Sequence, residues 1–175
     1  MWILEQGNVS RESDLAFVTS LINSNFSNYS AWHHRSVIFS SYTSEEIVST
    51  AKEEFNWLLN AFFTDPSDQS AWIYYRWLLN VCNKSFNELG KKEEWMNLIK
   101  EQFEMINELN EMQENEKWVM FTLIELHNVV KENEKDCEML SKDKINEYLK
   151  KLEEIDKMRI GFYKEVEKDL DLMKV

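Results

Sequence analysis

Turn-forming residues are what this sequence has least of: 175 residues hold three glycines and one proline. Sandwiches and barrels turn on Gly-, Pro- and Asn-rich corners, and doubly wound α/β folds need glycine at their strand-to-helix turns. The scarcity excludes both and leaves helices joined by short polar loops. Cysteine is scarce as well. Cys82 and Cys137 lie far apart with no Cys-x-x-Cys or Cys-x-x-His spacing, so neither a disulfide framework nor a zinc site is indicated, and a reducing, cytoplasmic setting fits. Basic residues are outnumbered, 20 Lys and Arg against 32 Asp and Glu, for a formal net charge of -12. That excess opposes broad contact with nucleic-acid phosphates or an anionic membrane surface and favours a basic or neutral protein partner. The start, Met1-Trp2-Ile3-Leu4-Glu5-Gln6, lacks a basic n-region, and no run approaches about 18 apolar residues, so neither a signal peptide nor a membrane span is expected. Hydrophobic residues are plentiful at 43%, with 13% aromatic. A packed core in one helical-repeat domain over 1–175 is the expectation.

The tryptophans carry an internal repeat. Asn28-Tyr29-Ser30-Ala31-Trp32-His33-His34-Arg35 recurs, altered, as Asp68-Gln69-Ser70-Ala71-Trp72-Ile73-Tyr74-Tyr75-Arg76, the two Ser-Ala-Trp triplets standing 40 residues apart. The flanks keep the register, Asp14-Leu15 with Glu54-Phe55 and Leu21-Ile22 with Ala61-Phe62. Fainter copies end in Trp118, 46 residues after Trp72, and in Met158, another 40 on, where the tryptophan is lost. A period near 40 in a glycine-poor chain reads as stacked helical hairpins, none able to bury its apolar face alone. Clear repeats fall at about 12–42 and 44–81, degenerate ones at about 91–132 and 141–173. Two helices per repeat predict about eight helices in about four hairpins.

Within a repeat the spacing is explicit. Ile47, Ala51, Phe55, Leu58, Leu59 and Phe62 sit three or four apart, one face of a helix starting at Ser44. Thr64-Asp65-Pro66 breaks it, because proline disfavours helix in the residue before it while its own φ suits the first turn of the next helix. That helix carries Trp72, Tyr75, Trp77, Leu78 and Leu79, and Ser67-Asp68 supplies oxygens for its unpaired N–H groups. In the first repeat Ser27 or Asn28 has the same role. Further helices are predicted near Lys91–Asn110, Glu116–Lys131, Ser141–Glu154 and Lys157–Leu172, with the charged stretch Lys131–Asp136 as a mobile, solvated connector.

The block Asn28-Tyr29-x-x-Trp32-x-x-Arg35 resembles the Asn-x-Tyr/Trp-x-x-Arg repeat of protein prenyltransferase α subunits. The string from Phe63 to Leu79 is similar to that of the Rab geranylgeranyltransferase members, as are Glu108–Trp118 and Ile155–Arg159. The resemblance implies an all-α, right-handed αα superhelix of about four stacked, TPR-like hairpins. It further implies a heterodimer with a catalytic β subunit, which would hold the zinc and the isoprenoid pocket, so no cofactor is expected in this chain. The implied substrate is a Rab GTPase modified at C-terminal cysteines, with its escort protein among the implied partners. The family's lysine that approaches the prenyl diphosphate precedes an Asn-Tyr pair, and here that position is Ser27. The chain therefore resembles the C-terminal part of an α subunit, no catalytic residue is assigned to it, and it is expected to be inactive alone. In the second block Arg76 follows Trp72 by four residues rather than three, and Tyr75 fills the slot of Arg35.

Packing outweighs chemistry for most singular residues. Trp32, Trp72 and Trp118 recur at repeat spacing and read as core anchors. His33 and His34 point about 100° apart on a helix, so one packs inside the repeat and the other faces a partner. His127 has no ligand-type neighbour and reads as a surface or packing residue. Glu45-Glu46, Glu53-Glu54 and Glu153-Glu154 read as solvated faces. Arg35, one turn beyond Trp32, would pair with a carboxylate of the next repeat or of a partner. Tyr29, His33, His34, Arg35, Tyr74, Tyr75 and Arg76 together have the Tyr/Arg chemistry of a β-subunit interface. Two alternatives stay open: the α subunit shared by farnesyltransferase and type I geranylgeranyltransferase, and a stand-alone repeat scaffold that binds a peptide.

Overall fold

The computed structural model describes residues 10–134 and 136–172, so the N-terminal hexapeptide lies outside it. Among the described residues there are eight α-helices and no strand. They are α1 (Arg11–Ser24), α2 (Tyr29–Phe39), α3 (Ser44–Thr64), α4 (Gln69–Glu88), α5 (Lys92–Met112), α6 (Lys117–Asn133), α7 (Lys142–Ile155) and α8 (Ile160–Leu172). A short 3-10 turn over Lys157–Arg159 precedes α8, where the sequence predicted one helix from Lys157. None of the described helices is long and apolar enough to cross a membrane. The chain divides into two compact units, Met1–Trp95 and Met96–Val175.

In the first unit α1 packs on α2, α3 on α4, and α2 on α4. The two hairpins turn by one plan. Asn25 Oδ1 accepts the Ser27 N–H at 3.0 Å, and Asp65 Oδ1 accepts the Ser67 N–H at 3.0 Å. These side chains mimic a backbone turn, which is how the corners close without glycine. Asn28 and Asp68 are then the N-caps, accepting from the N–H groups of Ala31 and Ser70. Four residues past each cap the tryptophan reaches back to the turn. The indole of Trp32 donates to the carbonyl of Phe26 at 2.7 Å and that of Trp72 to Pro66 at 2.9 Å. Pro66 lies in the turn, two residues ahead of the cap, rather than in the first turn of α4 as expected. Helix α3 begins at Ser44 as expected, and Thr43 caps it, forming a capping box with Glu46. Phe55, Leu58 and Phe62 are fully buried along its inner face, each contributing about 1.5–3 kcal/mol.

Helix α4 ends in a Schellman motif. The N–H of Lys91 bonds the carbonyl of Phe86 at 2.9 Å, that of Gly90 bonds Asn87 at 3.1 Å, and Gly90 has φ 67°. A left-handed residue is required there, and glycine adopts it without a Cβ clash.

The second unit is built around α6, buried nearly all round from Trp118 to Val130; α7 packs against α6 and α8. Tyr148 on α7 accepts from Asn110 on α5 at 2.9 Å, and Lys100 on α5 pairs with Glu134 at the end of α6 at 2.6 Å. Helix α6 continues to Asn133, so the first half of the predicted connector is helical. The degenerate repeats also depart from the predicted register. Trp118 is buried but stands two residues after its cap, Glu116, rather than four; the slot of Trp32 and Trp72 belongs to Met120, also buried. The turn before it contains Asn115 at φ 71°. Met158 is 98% exposed. Tyr163 takes the interior position, its hydroxyl donating to Asp156 at 3.0 Å.

Candidate functional site

Arg35 and Glu54, each 5% exposed, form the polar centre of the first unit. Two parallel bonds of 2.5 Å join the guanidinium, through Nε and one terminal nitrogen, to both carboxylate oxygens. The other terminal nitrogen donates to Thr19 Oγ1 at 2.7 Å, and the Tyr74 hydroxyl donates to Glu54 Oε1 at 2.8 Å. One buried cluster thus ties α1, α2, α3 and α4 together. Burial works against the charge on Arg35, but Glu54 outweighs it and holds the guanidinium pKa above its ordinary value. Burial, reinforced by Glu54, holds the Tyr74 hydroxyl well above the usual phenol range. The repeat register explains the pairing: His34 lies 3.1 Å from Asp14, and the positions 40 residues on are Tyr74 and Glu54.

Above this cluster α2 and α4 present an exposed aromatic face. Tyr29 and His33 stack with centroids 6.5 Å apart and planes 7° apart, and Val37 continues their stripe. Ile73 and the half-buried Trp77 lie opposite on α4. Between them runs a shallow groove of about 130 Å³, rimmed by Tyr29, His33, Ser36, Ile73 and Trp77 and floored by Trp32 and Tyr74. Tyr29 is 54% exposed and Ile73 40%. Large apolar side chains standing side by side in solvent are the composition of a protein contact.

The structure separates the seven residues expected at an interface. Tyr29 and His33 are on the exposed face. His34 turns away to Asp14, as two adjacent histidines must diverge. Arg35, Tyr74 and Tyr75 are core residues, Tyr75 being fully buried against Phe55, Phe62 and Trp72; their interface role is corrected, because no surface of theirs is left for a partner. Arg76 is half-buried. Trp32 is buried beneath the face, and Trp72 is buried against Phe62 of α3. Glu54 is the residue that sequence reasoning misplaced as solvated. Its spacing from Ala51 and Leu58 puts it on the apolar stripe of α3, and that was the signal. Ile73, Val37 and Trp77 carry no interface expectation in the sequence.

Burial lifts the Cys82 thiol to about 12, so it is inert at neutral pH. Among the described residues no three His, Cys, Asp or Glu side chains gather as a metal would need. Ser27 hydrogen-bonds Asp68 across the two hairpin turns.

Comparison with known proteins matches the protein prenyltransferase alpha subunit repeat at residues 11–42 and 51–82, the two hairpins of the first unit. The type-2 geranylgeranyl transferase subunit alpha of Schizosaccharomyces pombe is 29% identical over 94% of this chain and 52% of its own length. The Saccharomyces cerevisiae subunit of that name is 32% identical over 87% of this chain and 47% of its own. The human one is 43% identical over 45% of this chain and 15% of its own. The chain thus spans about half the length of these yeast relatives.

Proposed function

We propose, from the premise that this chain belongs to the protein prenyltransferase alpha-subunit family, that it serves as the α subunit, or part of one, of a Rab geranylgeranyltransferase. Its role is support. The helical repeats order a catalytic β subunit, which holds the zinc and the isoprenoid, and help present the protein substrate. The reaction of the assembled enzyme moves a geranylgeranyl group from its diphosphate to C-terminal cysteine thiolates of a Rab GTPase, delivered by an escort protein in the cytoplasm. The observation that carries the reading is the exposed α2/α4 face. Tyr29, His33, Val37 and Ile73 stand in solvent on a scaffold held rigid by the Arg35–Glu54 cluster, and a rigid aromatic surface binds at low entropic cost.

Ile73→Asp tests it. The change puts a charge where an apolar contact is proposed, and should weaken association with the β subunit at least about tenfold, by titration calorimetry. Because Ile73 is 40% exposed, the unfolding free energy should fall by only about 1–2 kcal/mol, which leaves the chain folded. Unchanged affinity would remove this face from the interface. In the assembled enzyme a Rab GTPase should be modified in preference to a short peptide ending in a cysteine motif; the opposite preference would favour the farnesyltransferase-type reading.

A further inference from the structure

His127 is a buried titratable group that neither the repeat nor the α2/α4 face uses. It lies on α6, 5% exposed, and its Nδ1 accepts the backbone N–H of Leu140 at 3.1 Å. The bond ties the middle of α6 to the chain just ahead of α7, where Ser141 caps the helix by accepting from the N–H of Lys144. An imidazole nitrogen accepts a hydrogen bond only while it carries no proton. A protonated ring would set a donor against a donor, in a site where burial leaves little water to separate them.

We propose that the His127–Leu140 bond is a proton-operated latch, closed when the imidazole is neutral and released, with residues 136–141, when it takes a proton. The charged groups that face the ring are few. Lys131, one turn on in α6, disfavours the proton; Glu138, in the connector, favours it; the two pair with each other at 3.4 Å. Glu134, at the end of α6, is engaged by Lys100 of α5. Burial is the largest influence and, with Lys131, holds His127 below its ordinary value of 6.5. The sign follows. The released imidazole protonates near 6.5 and the latched one only at lower pH, so the latch is at full strength above 6.5 and weakens as pH falls through and below that value.

Amide hydrogen exchange of the full chain, read at Leu140 by NMR and corrected for intrinsic pH dependence, tests the latch. Between about pH 7.5 and about pH 5, protection of Leu140 should be constant at first and then fall by up to about tenfold per pH unit. Leu58, in the core of the first unit, should keep its protection, which separates release from general unfolding. His127→Gln offers an acceptor oxygen that does not titrate and should flatten the Leu140 profile. A flat profile in the native chain, an equal fall at Leu58, or the same fall in the glutamine variant would overturn the proposal.

Discussion

Replacing Glu54 with alanine is expected to cost the first unit about 3–5 kcal/mol of unfolding free energy, or to leave it unfolded. The size follows from what stays behind. Arg35 would remain in the core with Thr19 and the rings of Trp57 and Phe39 but no counter-ion, and Tyr74 would lose the acceptor of its hydroxyl. A buried cation stripped of its counter-ion loses the attraction and keeps the desolvation cost. The exposed pair Lys91–Glu94 provides the contrast, since removing a surface carboxylate changes stability by about 1 kcal/mol or less. The combined change Arg35→Met with Glu54→Leu should recover most of the loss, because it removes both charges and refills the space. Urea unfolding followed by tryptophan fluorescence reads these variants, five of the seven tryptophans lying in residues 32–95. A Glu54→Ala variant within 1 kcal/mol of the native chain would contradict the role given to the cluster.

Trp72→Ala is expected to cost about 3–5 kcal/mol. The ring is fully buried, stacked on Phe62 with centroids 3.6 Å apart and planes within 3°, and flanked edge-on by Tyr75. Its loss opens a cavity and also strands the Pro66 carbonyl, because the indole N–H closes the turn between α3 and α4. Trp72→Phe separates the two contributions. It keeps an apolar ring and deletes the donor, and should cost about 1–3 kcal/mol. Trp118→Ala should cost less than Trp72→Ala when measured the same way, for its buried indole nitrogen has no hydrogen-bond partner among the described residues. Equal losses at the two sites would deny the turn bond its part.

The legible and the hidden parts of this fold divide along the same line. The first two hairpins could be read because cap, turn and tryptophan keep a fixed spacing, Asn28 to Trp32 and Asp68 to Trp72, and the hydrogen bonds from indole to turn require it. Glu54 was hidden by its neighbour. Glu53 and Glu54 look alike in sequence, yet about 100° of helix rotation puts Glu53 in solvent and Glu54 among Ala51, Phe55 and Leu58. Tyr74 and Tyr75 have the chemistry of contact residues, whereas the register makes one the partner of Glu54 and the other part of the aromatic core. In the second unit the turn before α6 uses Asn115 in a left-handed conformation, and the cap-to-tryptophan spacing shrinks. A period counted from tryptophans therefore kept Trp118 inside but assigned it the wrong slot.

Support of a prenyltransferase β subunit by these repeats, as proposed, is open to direct test. The most direct measurement is gel filtration with light scattering of the chain mixed with the β subunit of a type-2 geranylgeranyl transferase at micromolar concentration. The account expects a one-to-one complex that Ile73→Asp weakens. Two separate species at every concentration tested would contradict it.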